Sequence, residues 1–396
     1  MKAPNFAKRI PILLFIIIGI YTQSCSNKKT ELPVISVENI VRNEISLHDI
    51  TDEIIYVRLE NSLPISKINT IESADSMLFI HDSNRVYKFN INGKFIGEIG
   101  HKGNGPKEYN RCDDIAVDSS SKLIFIKGYK TIYVYDFEGI FKNLFTTFGD
   151  VVFDKMMLNN QFLYFANGYS MNLTHPEYSW IITNENGTIE SYKKNEVGSA
   201  KELMGAVYYQ KSLLFDIKND VFYWNALDDT ILQVSNANGI PAFLFADDKY
   251  RLKKEELNVD KFFNKTSWHL KSVLGASQYL FLEYVSNKDQ KYIHTLFDIK
   301  TNTLHEIGSI NFNGVVDKVN TYDGGPLFTP KAKINVNNED WFVNWIDAFQ
   351  LIALTKSTAF KSSTPKYPEK KKALEQLANS LNENDNPVLM LVKLKE

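Results

Sequence analysis

The residues of this chain best placed to do chemistry lie between Gly100 and Asp114, in the run GHKGNGPKEYNRCDD. His101, Lys102, Asn104, Lys107, Glu108, Tyr109 and Arg111 bring imidazole, ammonium, amide, carboxylate, phenol and guanidinium into one short stretch. Gly103 and Gly105 have no Cβ, so a ligand can come close to the backbone between them. Such a set suits a loop rim that contacts a polar ligand. If the loop only spans two elements, the same glycines serve its geometry and the charges are solvated. A phosphate loop is disfavoured, because Pro106 and a strand follow the glycines where a helix N-terminus would be needed to donate amides.

Other chemistries find less support. His48, His81, His101, His175, His269, His294 and His305 are scattered, with no HExxH pair and no close His/Cys cluster, so no zinc site is expected. No Gly-x-Ser-x-Gly elbow occurs, and Cys112 shows no sign of activation; it reads as a small buried hydrophobe near a strand start. Asp113, Asp114, Asp118, Asp228, Asp229 and Asp323 are explained by turn formation. Trp224, Trp268, Trp341 and Trp345 could stack on sugars, or pack between sheets. No catalytic residue, metal ligand or cofactor is assigned.

The elements that must hold these groups are strands. The chain has 396 residues with 26 Phe and 20 Tyr, a bias that fits pleated, half-buried surfaces. One unit recurs: an apolar strand, a turn, a short Phe/Ile/Leu-rich strand, a third alternating strand, a turn and a fourth strand. Its second strand is read at Met77–Ile80, Leu123–Ile126, Phe162–Phe165, Val221–Trp224 and Tyr279–Leu282. Its third is read at Val86–Asn90, Ile132–Asp136, Trp180–Thr183, Ile231–Val234 and Tyr292–Asp298. Closing turns are placed at Asn92-Gly93, Glu138-Gly139, Asn186-Gly187, Asn238-Gly239 and Thr301-Asn302, with tight primed geometry expected for Asn-Gly. The spacing, roughly 50 residues, is that of a four-stranded propeller blade.

A sixth blade is expected from both chain ends. Leu327–Leu354 supplies an inner and an aromatic second strand, Pro387–Leu394 another, and Ile54–Leu59 the last. Joining the ends would remove open sheet edges. Leu374, Leu377, Ala378 and Leu381 form a helical stripe, giving a helical insertion over residues 366–383 with Lys370, Lys371 and Lys372 on its solvated side.

The amino terminus reads as an export signal, residues 1–24. Lys2, Lys8 and Arg9 precede an apolar run from Ile10 to Ile20, which as a helix spans ~16 Å. A membrane crossing needs ~30 Å. Thr22-Gln23-Ser24-Cys25 then resembles a bacterial lipobox, with Thr22 in place of the usual Leu; lipidation of Cys25 is expected, and an ordinary cleaved signal with an incidental cysteine is the alternative. Residues 25–44 follow as a polar tether and residues 45–396 as the propeller.

The repeat, the segment Ile99–Tyr109 and the ending Asn384–Lys395 together resemble the six-bladed β-propeller lipoproteins abundant in Bacteroidetes, which are distantly similar to NHL-repeat propellers. Gly105, Pro106, Glu108 and Tyr109 match that family's Gly-Pro-Gly-Glu-Tyr stretch, while Lys107 replaces its second glycine. The resemblance implies an all-β fold and export, with no reaction attached. Some related propellers bind calcium on the channel axis, and this is the one cofactor the resemblance allows. Net charge is −2 with signs mixed along the chain, so nucleic acid is not an expected partner. The function expected is a lipid-anchored binding or scaffold module on the cell envelope. Its ligand, a glycan, a peptide or an envelope protein, would sit at the channel mouth. The alternative is a metal-dependent hydrolase or lyase on the propeller axis.

Overall fold

The computed structural model describes residues 31–42, 45–83, 85–146, 148, 151–170, 176–195, 212–225, 228–246, 268–286, 288–312 and 318–395. Cys25 and the segment expected to be an export signal lie outside them. The chain folds as a six-bladed β-propeller of four-stranded antiparallel sheets. Blade 1 runs outward from Ile68–Ala74 through Met77–Asp82 and Arg85–Asn90 to Phe95–Glu98. Blade 2 comprises Asp114–Asp118, Leu123–Lys127, Thr131–Asp136 and Phe141–Thr146. Blade 3 comprises Lys155–Asn159, Phe162–Ser170, Pro176–Thr183 and Ile189–Lys194, with Val151–Val152 added beside its second strand. Blade 4 comprises Ser212–Ile217, Asp220–Asn225, Thr230–Ser235 and Asn238–Phe245; blade 5 comprises Trp268–Gly275, Tyr279–Ser286, Lys291–Asp298 and Thr303–Asn311.

Why the second strands read as unbroken apolar runs is visible in blade 2. Ile124 and Ile126 pack with Phe79, Val86 and Tyr109 toward blade 1, while Phe125 packs with Leu163 and Phe165 toward blade 3. A strand covered on both faces needs no polar alternation. The outermost strand Phe141–Thr146 has no such cover and is mostly exposed.

Blade 6 is built from both ends of the chain. Ala332–Val336, Glu339–Ile346 and Val388–Leu394 are completed by Thr51–Arg58, which pairs antiparallel with the last strand from Thr51↔Leu394 to Arg58↔Val388. Asn386, almost wholly buried, clasps this joint: its amide nitrogen donates to Glu60 O and Leu63 O, both at 2.8 Å, and its side-chain oxygen accepts from Ile65 N at 2.8 Å.

Four details depart from the sequence reading. First, the Asn-Gly turns are three-residue loops in which only the glycine is left-handed: Gly93, Gly139 and Gly187 have φ of 82°, 78° and 81°. The residue three places earlier fixes each turn, as when Asn90 Oδ1 accepts from Asn92 N at 3.0 Å and Lys94 N at 2.9 Å; Asp136 and Asn184 do the same. A carboxylate or amide that caps two amides makes this bulged turn stable without a second positive φ. Second, Asn238-Gly239 lies in a strand, and the blade 4 turn falls at Asn236, φ 53°.

Third, the expected tether does not stay clear of the ring. Val34–Ile35 pairs parallel with Leu244 and Phe245 on the rim of blade 4, and Val41 bridges His305 of blade 5. Ile35 and Val37 are buried there beside Phe243, Phe245 and Leu304. Apolar side chains spaced by two in a polar segment were sufficient to add a strand to an open edge. Fourth, the helical insertion is longer than residues 366–383. Ala348–Lys356 and Thr358–Ser362 precede the expected helix, Pro368–Asn379, and all three share a small core of Leu351, Leu354, Phe360, Leu374 and Ala378.

The two ends of each sheet are unlike. First and second strands are joined by short turns such as 75–76, 160–161 and 337–338, and third and fourth strands by the three-residue loops above. At the other end lie the connections between blades, of which residues 59–67, 99–113 and 318–331 are described, and the insertion at 347–387.

Candidate functional site

The Gly100–Asp114 loop lies at the long-connection end, leading from the rim of blade 1 to the inner strand of blade 2. It is folded on itself. Gly103 N donates to Tyr109 O at 3.1 Å, and Tyr109 N donates to His101 O at 3.1 Å. Glu108 turns inward, its Oε2 accepting from Gly105 N at 2.9 Å; a Cβ on Gly103 would lie 2.0 Å from the same oxygen. Tyr109 is fully buried, edge-on to Tyr135 at 6.1 Å, and Tyr135 donates to Lys107 O at 2.7 Å. Burial, reinforced by the Glu98 charge, raises the Tyr109 phenol above its ordinary value. Gly100, φ 62°, is pressed by the Tyr135 ring, 2.6 Å from where a Cβ would be.

Glu108, Tyr109 and the glycines therefore shape the loop, and this Gly-Pro-Lys-Glu-Tyr stretch is a packing device. His101, Lys102, Asn104, Lys107 and Arg111 remain on the surface. Arg111 pairs with Asp113 through Nε and lies over the Tyr129 ring at 5.7 Å. Behind them Cys112 is buried, and burial, followed by the Asp114 charge, pushes its thiol up. A thiol held protonated is a poor nucleophile.

A second polar group lines the channel, and sequence reasoning missed it. Asp114 joins three blades: its Oδ1 accepts from Thr70 Oγ1 at 3.3 Å, and its Oδ2 from Met156 N at 3.2 Å. Lys333 of blade 6 reaches Asp216 of blade 4, pairing with the carboxylate and donating to its carbonyl at 3.4 Å. Gly275 of blade 5 abuts the same carbonyl; a Cβ there would lie 2.3 Å from it. Between these groups is Glu72 of blade 1. Burial first, then the charges of Asp114 and Asp216, push Glu72 up to about 8, with Lys333 pulling the other way. At neutral pH it is largely protonated and can donate a hydrogen bond. The available signal was a single charged residue inside each of three inner strands: INTIESA, SLLFDI and AKINV. Among the described residues no three His, Cys, Asp or Glu side chains converge in a way that could hold a metal ion.

A surface hollow of about 650 Å³, wide open, lies at the blade 6–blade 1 seam, lined by Arg58, Glu60, Asn61, Ser62, Asn92 and Lys94. It belongs to the closure: Arg58 is tied to Asp385 at 2.8 Å.

Fold and site together define a six-bladed propeller whose inner strands share polar contacts between blades. Residues 32–393 match the family described as a domain of unknown function, DUF4934, and the chain belongs to that family. No curated protein matches the sequence. Among solved structures, a Bacteroides fragilis protein carrying the name of an exported protein superposes with a TM-score of 0.70 at 19% identity. The match covers 92% of this chain and all of that one. A member of the DUF4221 family from Bacteroides vulgatus gives a TM-score of 0.48 at 8% identity, over 87% of this chain and 97% of that one. These likenesses concern the fold. No described helix is long and apolar enough to cross a membrane.

Proposed function

We infer that the protein is exported, held to the cell envelope by lipid on Cys25, and works there as a binding or scaffold module. Its ligand, a glycan, a peptide or a partner protein, is held where the long connections meet the channel mouth. The observation that carries this reading is the inequality of the two sheet ends among the described residues: the connections 59–67, 99–113 and 318–331 and the helical insertion enlarge one end, while the other keeps minimal turns. A rigid ring that varies only one end is built to present loops. The likeness to a protein named as exported supports the address. The candidate contacts are the surface groups His101, Lys102, Asn104, Lys107 and Arg111.

Glycan and peptide arrays probed with the purified chain test the ligand. A hit weakened at least tenfold by H101A/K107A/R111A supports the site, and a hit indifferent to those changes moves it elsewhere. Cys25→Ala tests the anchor. The parent chain is expected in the membrane fraction and the variant in the soluble fraction; identical fractionation of the two defeats the lipoprotein reading.

A further inference from the structure

The insertion in blade 6 collects lysines that the sequence spaces out. The insertion, residues 347–387, holds six, Lys356, Lys361, Lys366, Lys370, Lys371 and Lys372, and five acids, of which Glu369 alone falls between the first and last of these lysines. Three of them, Lys366, Lys370 and Lys371, gather around the turn between the second and third helices. Lys371 lies over the Phe360 ring at 4.9 Å and donates to Ser363 O at 2.7 Å and Lys361 O at 3.3 Å. Lys370 lies over Tyr322 at 5.3 Å and Lys366 over Tyr367 at 5.7 Å. Among the described residues none of the six pairs with a carboxylate. The Lys370 charge acts on Asp323, while Lys356, Lys361, Lys366 and Lys372 are exposed and leave their charge available to an anionic surface.

The patch adjoins the outermost strand of blade 6, Thr51–Arg58. Lys370 donates to Ile54 O at 3.4 Å, Tyr367 N donates to Tyr322 O, and Tyr322 in turn donates to Asp52 O at 3.1 Å. On the first helix of the same insertion Phe349 is half exposed, an aromatic able to enter a lipid interface. We propose that the lysine patch of the blade 6 insertion docks on an anionic bilayer surface and so orients the ring. The proposal deepens the envelope reading above and rests on it for its biological setting. Acyl chains hold a protein near a membrane without fixing its tilt, and a polybasic patch supplies a second contact.

The test does not need the lipid. The compact unit begins at Leu32, so a chain of residues 25–396 carrying Cys25→Ala keeps the whole ring. It is sedimented with vesicles of phosphatidylcholine alone or with about a third phosphatidylglycerol. Binding is expected only to the anionic vesicles and is lost in 0.5 M salt. At roughly fivefold per lysine, K361Q/K366Q/K372Q is expected to raise the lipid concentration for half-binding by tenfold or more. K94Q/K122Q/K142Q, on blades 1 and 2, is expected to leave it unchanged, and thermal melts confirm folding of both. Equal binding to neutral vesicles, no binding to anionic ones, or a patch variant that binds like the parent overturns the proposal. Retention on heparin without vesicle binding also overturns it and assigns the patch to a soluble polyanion. The Cys25→Ala fractionation above fails or succeeds separately, so the two readings are judged apart.

Discussion

Blade 2 takes all four strands from residues 114–146, each joined to its partner by a turn, whereas blade 6 pairs residues 51–58 with residues 388–394. Both bury comparable apolar strands; Ile124, Phe125 and Ile126 in one and Met390, Leu391 and Val392 in the other are essentially inaccessible. The difference is in what secures the edge. In blade 2 the outermost strand is held by a local turn capped by Asp136. In blade 6 no turn can do this, and the joint depends on Asn386 and the Arg58–Asp385 pair. Closing a loop grows costlier only as the logarithm of its length, so joining distant ends is affordable, but it comes after local hairpins have formed. The closing blade concentrates into a few residues what the contiguous blade spreads over its turns.

The largest expected effect tests that concentration directly. Deleting Pro387–Glu396 removes the third strand of blade 6 and orphans Thr51–Arg58, so the whole ring is expected to lose its cooperative melt. A truncated chain that melts like the parent breaks the comparison. Next, Asn386→Ala leaves two carbonyls and an amide without partners, expected to cost about 3–5 kcal/mol. Asp136→Ala in the exposed blade 2 turn is expected to cost about 1 kcal/mol. Denaturant melts showing equal losses would mean that the two edges are secured alike.

The same contrast recurs at the seams. Gly93 of blade 1 docks on the end of the blade 6 rim strand, where a Cβ would lie 2.2 Å from Arg58 O; Gly139 of blade 2 docks less tightly, where a Cβ would lie 3.0 Å from Glu98 O. Gly139→Ala is expected to cost about 1–2 kcal/mol for its left-handed backbone. Gly93→Ala adds a backbone clash, for about 2–4 kcal/mol altogether. Matching melting temperatures would remove the special tightness of the closing seam.

A pH-dependent effect concerns the channel, where Asp114 of blade 2 and Lys333 of blade 6 act on Glu72. Its pKa is raised to about 8 from an ordinary 4.5, so the folded chain keeps a proton that the unfolded chain releases. Stability from this group falls as pH rises between those values, by roughly 1 kcal/mol per pH unit. Glu72→Gln should lose this dependence, and its advantage over the parent should widen from pH 5 to pH 8. Parallel stability curves would place Glu72 in open water.

Much of this was legible in the sequence. The second and third strands of five blades, the closure by both ends and the helix at Pro368–Asn379 all follow from local signals: apolar runs, alternation and a helical stripe. The turns were found but mistyped, because the deciding Asn90, Asp136 and Asn184 stand one position before the loop proper. The Gly100–Asp114 loop reads as a cluster of chemistry, and two of its seven candidate residues, Glu108 and Tyr109, serve packing. Side-chain type does not say which way Glu108 and Tyr109 turn.

The sequence by itself determined the number of blades, their strand order and the meeting of the two ends, because hydrophobic periodicity and turn residues act over a few neighbours. Only the tertiary structure decided which polar groups share a space. Glu72, Asp114, Asp216 and Lys333 belong to four blades, and the insertion lysines meet through the docking of helices on a loop from blade 5. Proximity across a ring depends on how blades twist and pack about an axis, and no local pattern in the chain encodes that distance.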